Sequence, residues 1–249
     1  MNVLAAFLPL AITIADMAPA DYWDWQLTDP YDLSVNVEIL VIEPDDHSAE
    51  DIRALATRGV EPVCYISVGS WENFRDDAGA FPESVLGKTM GEWPDERYVD
   101  MRQLTVLLPL MGARISTCAA KGFKGVEFDN MGAYDNDTGF AITKLDALAY
   151  FDALADHAKR LGLSVAQKNV PELVPDLVDK FDFVIVEQCF RYEECEAFQP
   201  YLDMGKHVLA VEYVEDGRNW DAACSKAKMM GIALLLKEKE VVAGGLKCR

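Results

Sequence analysis

Short runs of β-branched and aromatic residues alternate along the chain with longer amphipathic stretches, the pattern of parallel strands joined by helices. Eight strands are predicted, over residues 23–27, 39–43, 62–68, 124–129, 164–169, 182–187, 207–212 and 232–237. Apolar residues recur at spacings of three and four over 49–58, 104–121, 144–161 and 220–230, which predicts helices, and Gly122, Gly162, Gly205 and Gly231 stand where helices should stop. This alternation predicts a single (β/α)8 TIM-type barrel. An open nucleotide-binding sheet has no support, because no GxGxxG follows a strand and no GxxxxGK[ST] occurs. Two longer connections, 71–100 and 131–143, follow strands and so fall on the face where barrel enzymes work.

An apolar run from residue 3 to residue 14 is too short to span a bilayer, and Ala18-Pro19-Ala20 supplies small residues at which a signal peptidase would cut. Residues 1–20 therefore read as a secretory signal peptide and 21–249 as one barrel domain. No later stretch has the length and apolarity to cross a membrane, so a soluble secreted monomer with no membrane partner is expected after leader removal. The six cysteines fit an oxidising compartment. Cys189 with Cys195 would staple the loop after a strand, Cys224 with Cys248 would tie the C-terminal end to a helix, and Cys64 and Cys118 are then left. A metal site is not expected, since no CxxC occurs and His47, His157 and His207 lack ligand spacing.

Charge narrows the partners. Asp and Glu total 42 against 23 Lys and Arg, a net −19 at pH 7. Phosphate neutralisation needs basic surface, so a nucleic-acid partner is excluded, and cationic or neutral ligands are favoured.

The strands are apolar early and polar at their ends. Gln26 ends the first, Asp45 follows the second, and Ser67 with Ser70 closes the third; Asp129 and Asn130, Lys168 and Asn169, Glu187 and Gln188, Glu212, and Lys237 end the remaining five. Such termini build a ring of hydrogen-bonding groups at one barrel mouth. Alternation places Gly125, Glu127 and Asp129 on one side of their strand, with Asp129 at the rim and Glu127 a layer deeper. Phe183, Ile185 and Glu187 likewise share a side, so Glu187 emerges above an apolar floor, placed to donate a proton. Two carboxylates across a mouth are what glycosidic hydrolysis needs, one to protonate the leaving oxygen and one to attack or stabilise the anomeric carbon. Serine hydrolysis lacks its GxSxG elbow. Trp23, Trp25, Trp71 and Trp93 read equally as core aromatics or as platforms for sugar rings.

The stretches WDWQL, VCYISVGSWE, FPESVLGKTMGEWPDERYVDMR, KGFKGVEFDNMGAY with NDTGF, SVAQKN and FDFVIVEQCFRYEEC resemble glycoside hydrolase family 114 from about residue 22 to residue 237. That family contains endo-α-1,4-polygalactosaminidases, secreted barrel enzymes that cut galactosamine-rich polysaccharides. The resemblance implies that Asp129 and Glu187 are the catalytic pair and that no cofactor is used. It makes Gln26, Tyr65, Ser67, Trp71, Glu127, Asn130, Tyr134, Lys168, Asn169, Glu212 and Tyr213 candidate substrate contacts. The implied partner is a cationic or partly acetylated galactosamine polymer, which the acidic surface would attract. The sequence departs from the family at Met131-Gly132-Ala133-Tyr134, where an acidic residue often follows the DN motif, and at LLKEKEVVAG after the eighth strand, where an Asp-rich ending is usual.

Overall fold

A strand in a barrel is buried on both faces, so alternate residues must serve two different cores. The computed structural model describes residues 23–217 and 219–248, and in it the runs of the sequence divide in this way. Trp23, Trp25, Ile39, Val41, Val63, Phe183, Ile185, Leu209, Val211 and Leu235 fill the barrel interior. Their neighbours Leu40, Ile42, Cys64, Val126, Phe128, Val184, Val186 and Leu234 face the helices. The leader expected over residues 1–20 lies outside the described residues.

In chain order the strands are β1 (Trp23–Gln26), β2 (Ile39–Ile42), β3 (Glu61–Ser67), β4 (Ser70–Glu72), β5 (Leu86–Met90), β6 (Trp93–Val99), β7 (Gly125–Asp129), β8 (Ser164–Lys168), β9 (Phe183–Glu187), β10 (His207–Tyr213), β11 (Ala233–Lys237) and β12 (Leu246–Lys247). The helices are α1 (Ala49–Thr57), α2 (Leu104–Lys121), α3 (Lys144–Arg160), α4 (Val174–Leu177), α5 (Gln199–Asp203) and α6 (Trp220–Met230). The main sheet runs β1-β2-β3-β7-β8-β9-β10-β11-β12. Its first eight strands pair in parallel and curl into a (β/α)8-type barrel, to which β12 adds an antiparallel edge. Capping boxes at Ser48/Asp51 and Thr143/Asp146 start α1 and α3. Gly122 ends α2 at φ 102°, where a side chain would be strained.

The structure bears out the barrel and adds three features to it. First, the barrel is not closed by a continuous ladder: among the described residues no ladder joins β11 to β1. Side chains hold that seam instead, with Lys237 Nζ 2.7 Å from Asp24 Oδ1 and Trp23 Nε1 donating to Ala233 O at 3.0 Å. Second, the β1–β2 connection has no helix, and α4 and α5 are single turns, so the helical layer is thin on part of the barrel. Third, segment 71–100 is not a simple loop. It forms a three-stranded antiparallel sheet, β4-β6-β5, beginning three residues after β3.

Three disulfides join Cys64 to Cys118, Cys189 to Cys195 and Cys224 to Cys248. The first ties β3 to α2 across 54 residues, whereas the second closes a loop of sequence separation 6. Loop-closure entropy makes the long bridge the more stabilising, by roughly 4 kcal/mol against roughly 2 kcal/mol. Denaturant unfolding of Cys64→Ser and Cys189→Ser under oxidising conditions should rank the losses in that order, and equal losses would contradict an entropic origin.

Candidate active site

The carboxyl ends of β7, β8 and β9 are neighbours, and each presents one charged residue: Asp129, Lys168 and Glu187. After each the backbone leaves the strand at once through a left-handed residue, Asn130 at φ 59°, Asn169 at φ 50° and Gln188 at φ 58°. Asn tolerates this region better than most residues, which suits the DN and KN dipeptides. Val170, next in line at φ 51°, is β-branched and strained there, and such outliers concentrate at functional sites. Gly69 makes the turn into β4 possible, because a Cβ there would stand 1.9 Å from the carbonyl oxygen of Asn130.

Lys168 is the centre of the arrangement. It is 2% exposed, and its Nζ lies 3.0 Å from Asp129 Oδ1, 3.1 Å from Glu187 Oε2 and 3.2 Å from Glu127 Oε1. The Glu127 contact is one of charge without an aligned hydrogen bond. Trp25 supplies a floor: its ring centroid is 4.4 Å from the ammonium, and its Nε1 donates to Glu127 Oε2 at 3.1 Å. Tyr65 donates to Asp129 Oδ2 at 2.8 Å. Asn169 Nδ2 donates to Glu187 Oε2 at 3.0 Å, while the Glu187 amide returns a bond to Asn169 Oδ1 at 2.8 Å. The Tyr213 hydroxyl donates to Glu187 Oε1.

These contacts separate the charge states. Burial disfavours the Lys168 ammonium, but Asp129, Glu187 and Glu127 outweigh it and hold the group well above its ordinary value. Burial also pushes Asp129 up, yet Lys168 and the hydrogen bonds from Tyr65 and Lys168 hold the carboxyl below its ordinary value. Glu127 has no comparable hydrogen-bond set, so burial pushes it up to about 7 despite Lys168. Burial and adjacent carboxylates push the Tyr65 and Tyr213 hydroxyls up, which keeps both as donors.

A cleft of about 1040 Å3 opens above this floor. Of the sequence candidates, Tyr65, Asp129, Asn130, Lys168, Asn169, Glu187 and Tyr213 line it, and Glu127 lies just beneath. The structure does not bring the others into the cleft lining. Gln26 is fully buried, bonded to Asp24 and to the Asp32 amide, because Trp23 and Trp25 take the inward positions of β1. Ser67 joins a chain of hydroxyls: its Oγ accepts from Asn130 Nδ2 at 2.8 Å and sits 2.5 Å from Ser70 Oγ. Trp71 turns its Nε1 to Ala78 O, and the Tyr134 hydroxyl donates to Glu172 Oε1. Glu212 accepts from the Phe190 amide at 2.9 Å. Leu209, Val211 and Tyr213 share the inward side of its strand, so alternation turns Glu212 away.

Sequence reasoning placed segment 71–100 on this face but not its strands: the β4-β6-β5 sheet and its turns bring Glu72, Phe74, Arg75, Met90, Glu92, Trp93, Glu96 and Tyr98 to the cleft. Arg75 joins this sheet to the barrel, pairing with Glu72 at 2.7 Å, with Asp45 at 2.9 Å and with Glu43 of the β2–α1 connection. Glu96 accepts from Ser70 Oγ at 2.6 Å, and burial pushes it up to about 7. Nine Asp or Glu residues line the cleft against three Lys or Arg. Among the described residues no group of three or more His, Cys, Asp or Glu is arranged to hold a metal, and no helix is long and apolar enough to cross a membrane.

The sequence model of glycoside-hydrolase family GH114 matches residues 10–249. The crystal structure of Aspergillus fumigatus Ega3 in complex with galactosamine superposes with a TM-score of 0.85 at 29% identity, covering 96% of this chain and all of that one. The glycoside hydrolase domain of PelA from Pseudomonas aeruginosa shares the fold, with a TM-score of 0.72 at 15% identity over 91% of this chain and 98% of its own. An uncharacterised protein of Deinococcus radiodurans is 23% identical over 90% of this chain and 82% of its own length. A two-carboxylate barrel mouth and a family match over nearly the whole length agree: this chain belongs to glycoside-hydrolase family GH114 and is a glycosidase.

Proposed function

We propose that the chain is a secreted endo-acting glycosidase that cleaves α-1,4 bonds within galactosamine-rich polysaccharide by a retaining, two-step displacement. The observation that carries this reading is the single ammonium shared by both carboxylates. Asp129 Oδ1 and Glu187 Oε2 lie 3.0 and 3.1 Å from Lys168 Nζ, so these oxygens are no more than about 6 Å apart, short of the roughly 6.5–9.5 Å of inverting pairs. Retaining pairs need only about 5–5.5 Å, since no water has to fit between acid and base in the first step.

The partners of each carboxyl support one division of roles. Asp129, held ionised by Lys168 and Tyr65, is the nucleophile: its oxygen bonds to the anomeric carbon as the glycosidic C–O bond breaks. Glu187, whose side chain is 27% exposed and is oriented by Asn169 and Tyr213, gives its proton to the departing oxygen. It then takes a proton from the water that attacks the anomeric carbon, and Asp129 leaves as carboxylate. Lys168 keeps Asp129 ionised between turnovers and offsets the surplus negative charge of the floor.

Galactosamine bound by Ega3 and the carboxylate excess of the cleft support an amino-sugar polymer as substrate. Three disulfides fit an oxidising compartment, consistent with a leader over residues 1–20, a mature barrel domain over 21–249, and a monomer acting outside the cell.

Asp129→Asn and Glu187→Gln should each lower release of reducing ends from galactosamine polymer by about 10^2-fold or more while leaving the melting temperature near that of the wild type. Chitosan and starch serve as control polymers, and near-normal turnover in both variants would exclude the pair. Lys168→Met removes the cation that lowers the Asp129 pKa, so the acid limb of kcat/KM should move to higher pH; a limb that stays in place would deny Lys168 this role. Attraction of a cationic polymer is screened by salt, so kcat/KM should fall as ionic strength rises through about 0.1 M, where the screening length is about 10 Å. An unchanged value would remove the steering contribution.

A further inference from the structure

Two large aromatic side chains remain exposed in the cleft, and the proposed chemistry uses neither. Phe74 and Trp93 are each 62% exposed, while Trp23 and Trp25 are buried in the barrel core. The β4–β6 ladder brings the two together. Its last register pair is Glu72 with Glu96, and the Asn73 amide then donates to Asp95 O at 3.0 Å, with Asn73 Nδ2 reaching Asp95 Oδ1 at 2.9 Å. The chain then turns at Asn73 and Phe74, with the Arg75 amide donating to Glu72 O at 3.3 Å, and Phe74 and Trp93 both line the cleft at that end of the ladder. The Arg75 guanidinium stands 5.3 Å from the Phe74 ring centroid, occupying one side of it. Trp93 precedes Glu96 by three residues, roughly 10 Å of extended chain, so it lies well out from the Lys168 floor.

We propose that Phe74 and Trp93 form a binding platform for a protonated hexosamine unit of the polymer that does not itself flank the scissile bond. The proposal rests on the galactosaminidase reading and specifies where the rest of that substrate is held. The apolar C–H face of a pyranose packs on an aromatic ring, and the negative face of an indole attracts an ammonium. Glu92, next to Trp93, and Glu96, on the same strand, line the cleft here and complement that charge. The platform opens into a cleft rich in carboxylates and continuous with the site, as a cationic glycan requires and a flat apolar partner does not. A cleft of about 1040 Å3 is at the upper end of the range for ligand sites, with room for several hexoses.

Trp93→Ala should raise KM for long galactosamine polymer by about 5- to 30-fold, with the loss falling on KM and not on kcat, and Trp93→Phe should recover part of it. Because the side chain is exposed, the melting temperature should stay at the wild-type value. Binding supplies a readout independent of turnover: in an Asp129→Asn background, calorimetry should show a galactosamine oligomer bound about 5- to 30-fold more weakly after Trp93→Ala, with part of the loss recovered by Trp93→Phe. Wild-type KM in Trp93→Ala, or an oligomer affinity that Trp93→Ala leaves unchanged, would overturn the platform while leaving the galactosaminidase reading intact. A wild-type protein that binds the oligomer through Trp93 but never cleaves the polymer would do the reverse.

Discussion

Lys168 is a fully buried ammonium that touches three carboxylates and an indole face, and the site depends on it. Removing that charge from water is affordable only where several anions converge on it, and their convergence is repaid in turn by the cation. The three acids do not share it equally. Asp129 has Tyr65 and the ammonium as donors and stays ionised, whereas Glu127 has a weaker set and is pushed up to about 7. One cation thus keeps two rim carboxylates near each other without forcing the layer below to carry a full charge at neutral pH.

Backbone geometry makes that convergence possible. β7, β8 and β9 lie side by side in parallel, with Lys168 in register with Ile185 so that Glu187 stands two positions further up its strand, and the left-handed residues after Asp129, Lys168 and Glu187 turn each chain away immediately. The charged groups therefore sit on the last strand positions, which the sheet holds rigidly, and not on loops. Strain in the following residue, greatest at Val170, is the cost of leaving the strand so abruptly.

How much of this was legible in the sequence follows from where strand periodicity operates. In β7 and β9 both faces are buried, so the two-residue repeat sorted Val126 and Phe128 from Glu127, and Val184 and Val186 from Ile185, as the two cores require. At β10 Glu212 rested on its place at the strand end and on the family resemblance, and the same repeat, with Leu209, Val211 and Tyr213 inward, turns it away from the cleft. Segment 71–100 escaped for a different reason. Its strands are short, charged and partly exposed, and their partners are each other, so no apolar repeat marks them. The side-chain seam between β1 and β11 left no pattern either, since Asp24 and Lys237 are separated by 213 residues and only the closed curl brings them together.

The antiparallel sheet that was hardest to read is also what enlarges the barrel mouth. A barrel rim alone offers the ends of its strands, enough to grip the sugar at the bond being broken. Glu72 anchors the added sheet through Arg75 to the β2–α1 connection and through Arg114 to α2, and the hydroxyls of Ser67 and Ser70 link Glu96 of β6 to Asn130, the residue after Asp129. The sheet is thus fixed to the same structure that fixes Asp129 and Glu187, and it extends the wall of the cleft. Cutting within a chain needs contacts on units that do not react, because their binding energy positions the bond that does. The division follows the architecture: parallel strands carry Asp129, Lys168 and Glu187, and the antiparallel insertion carries the outer wall of the cleft.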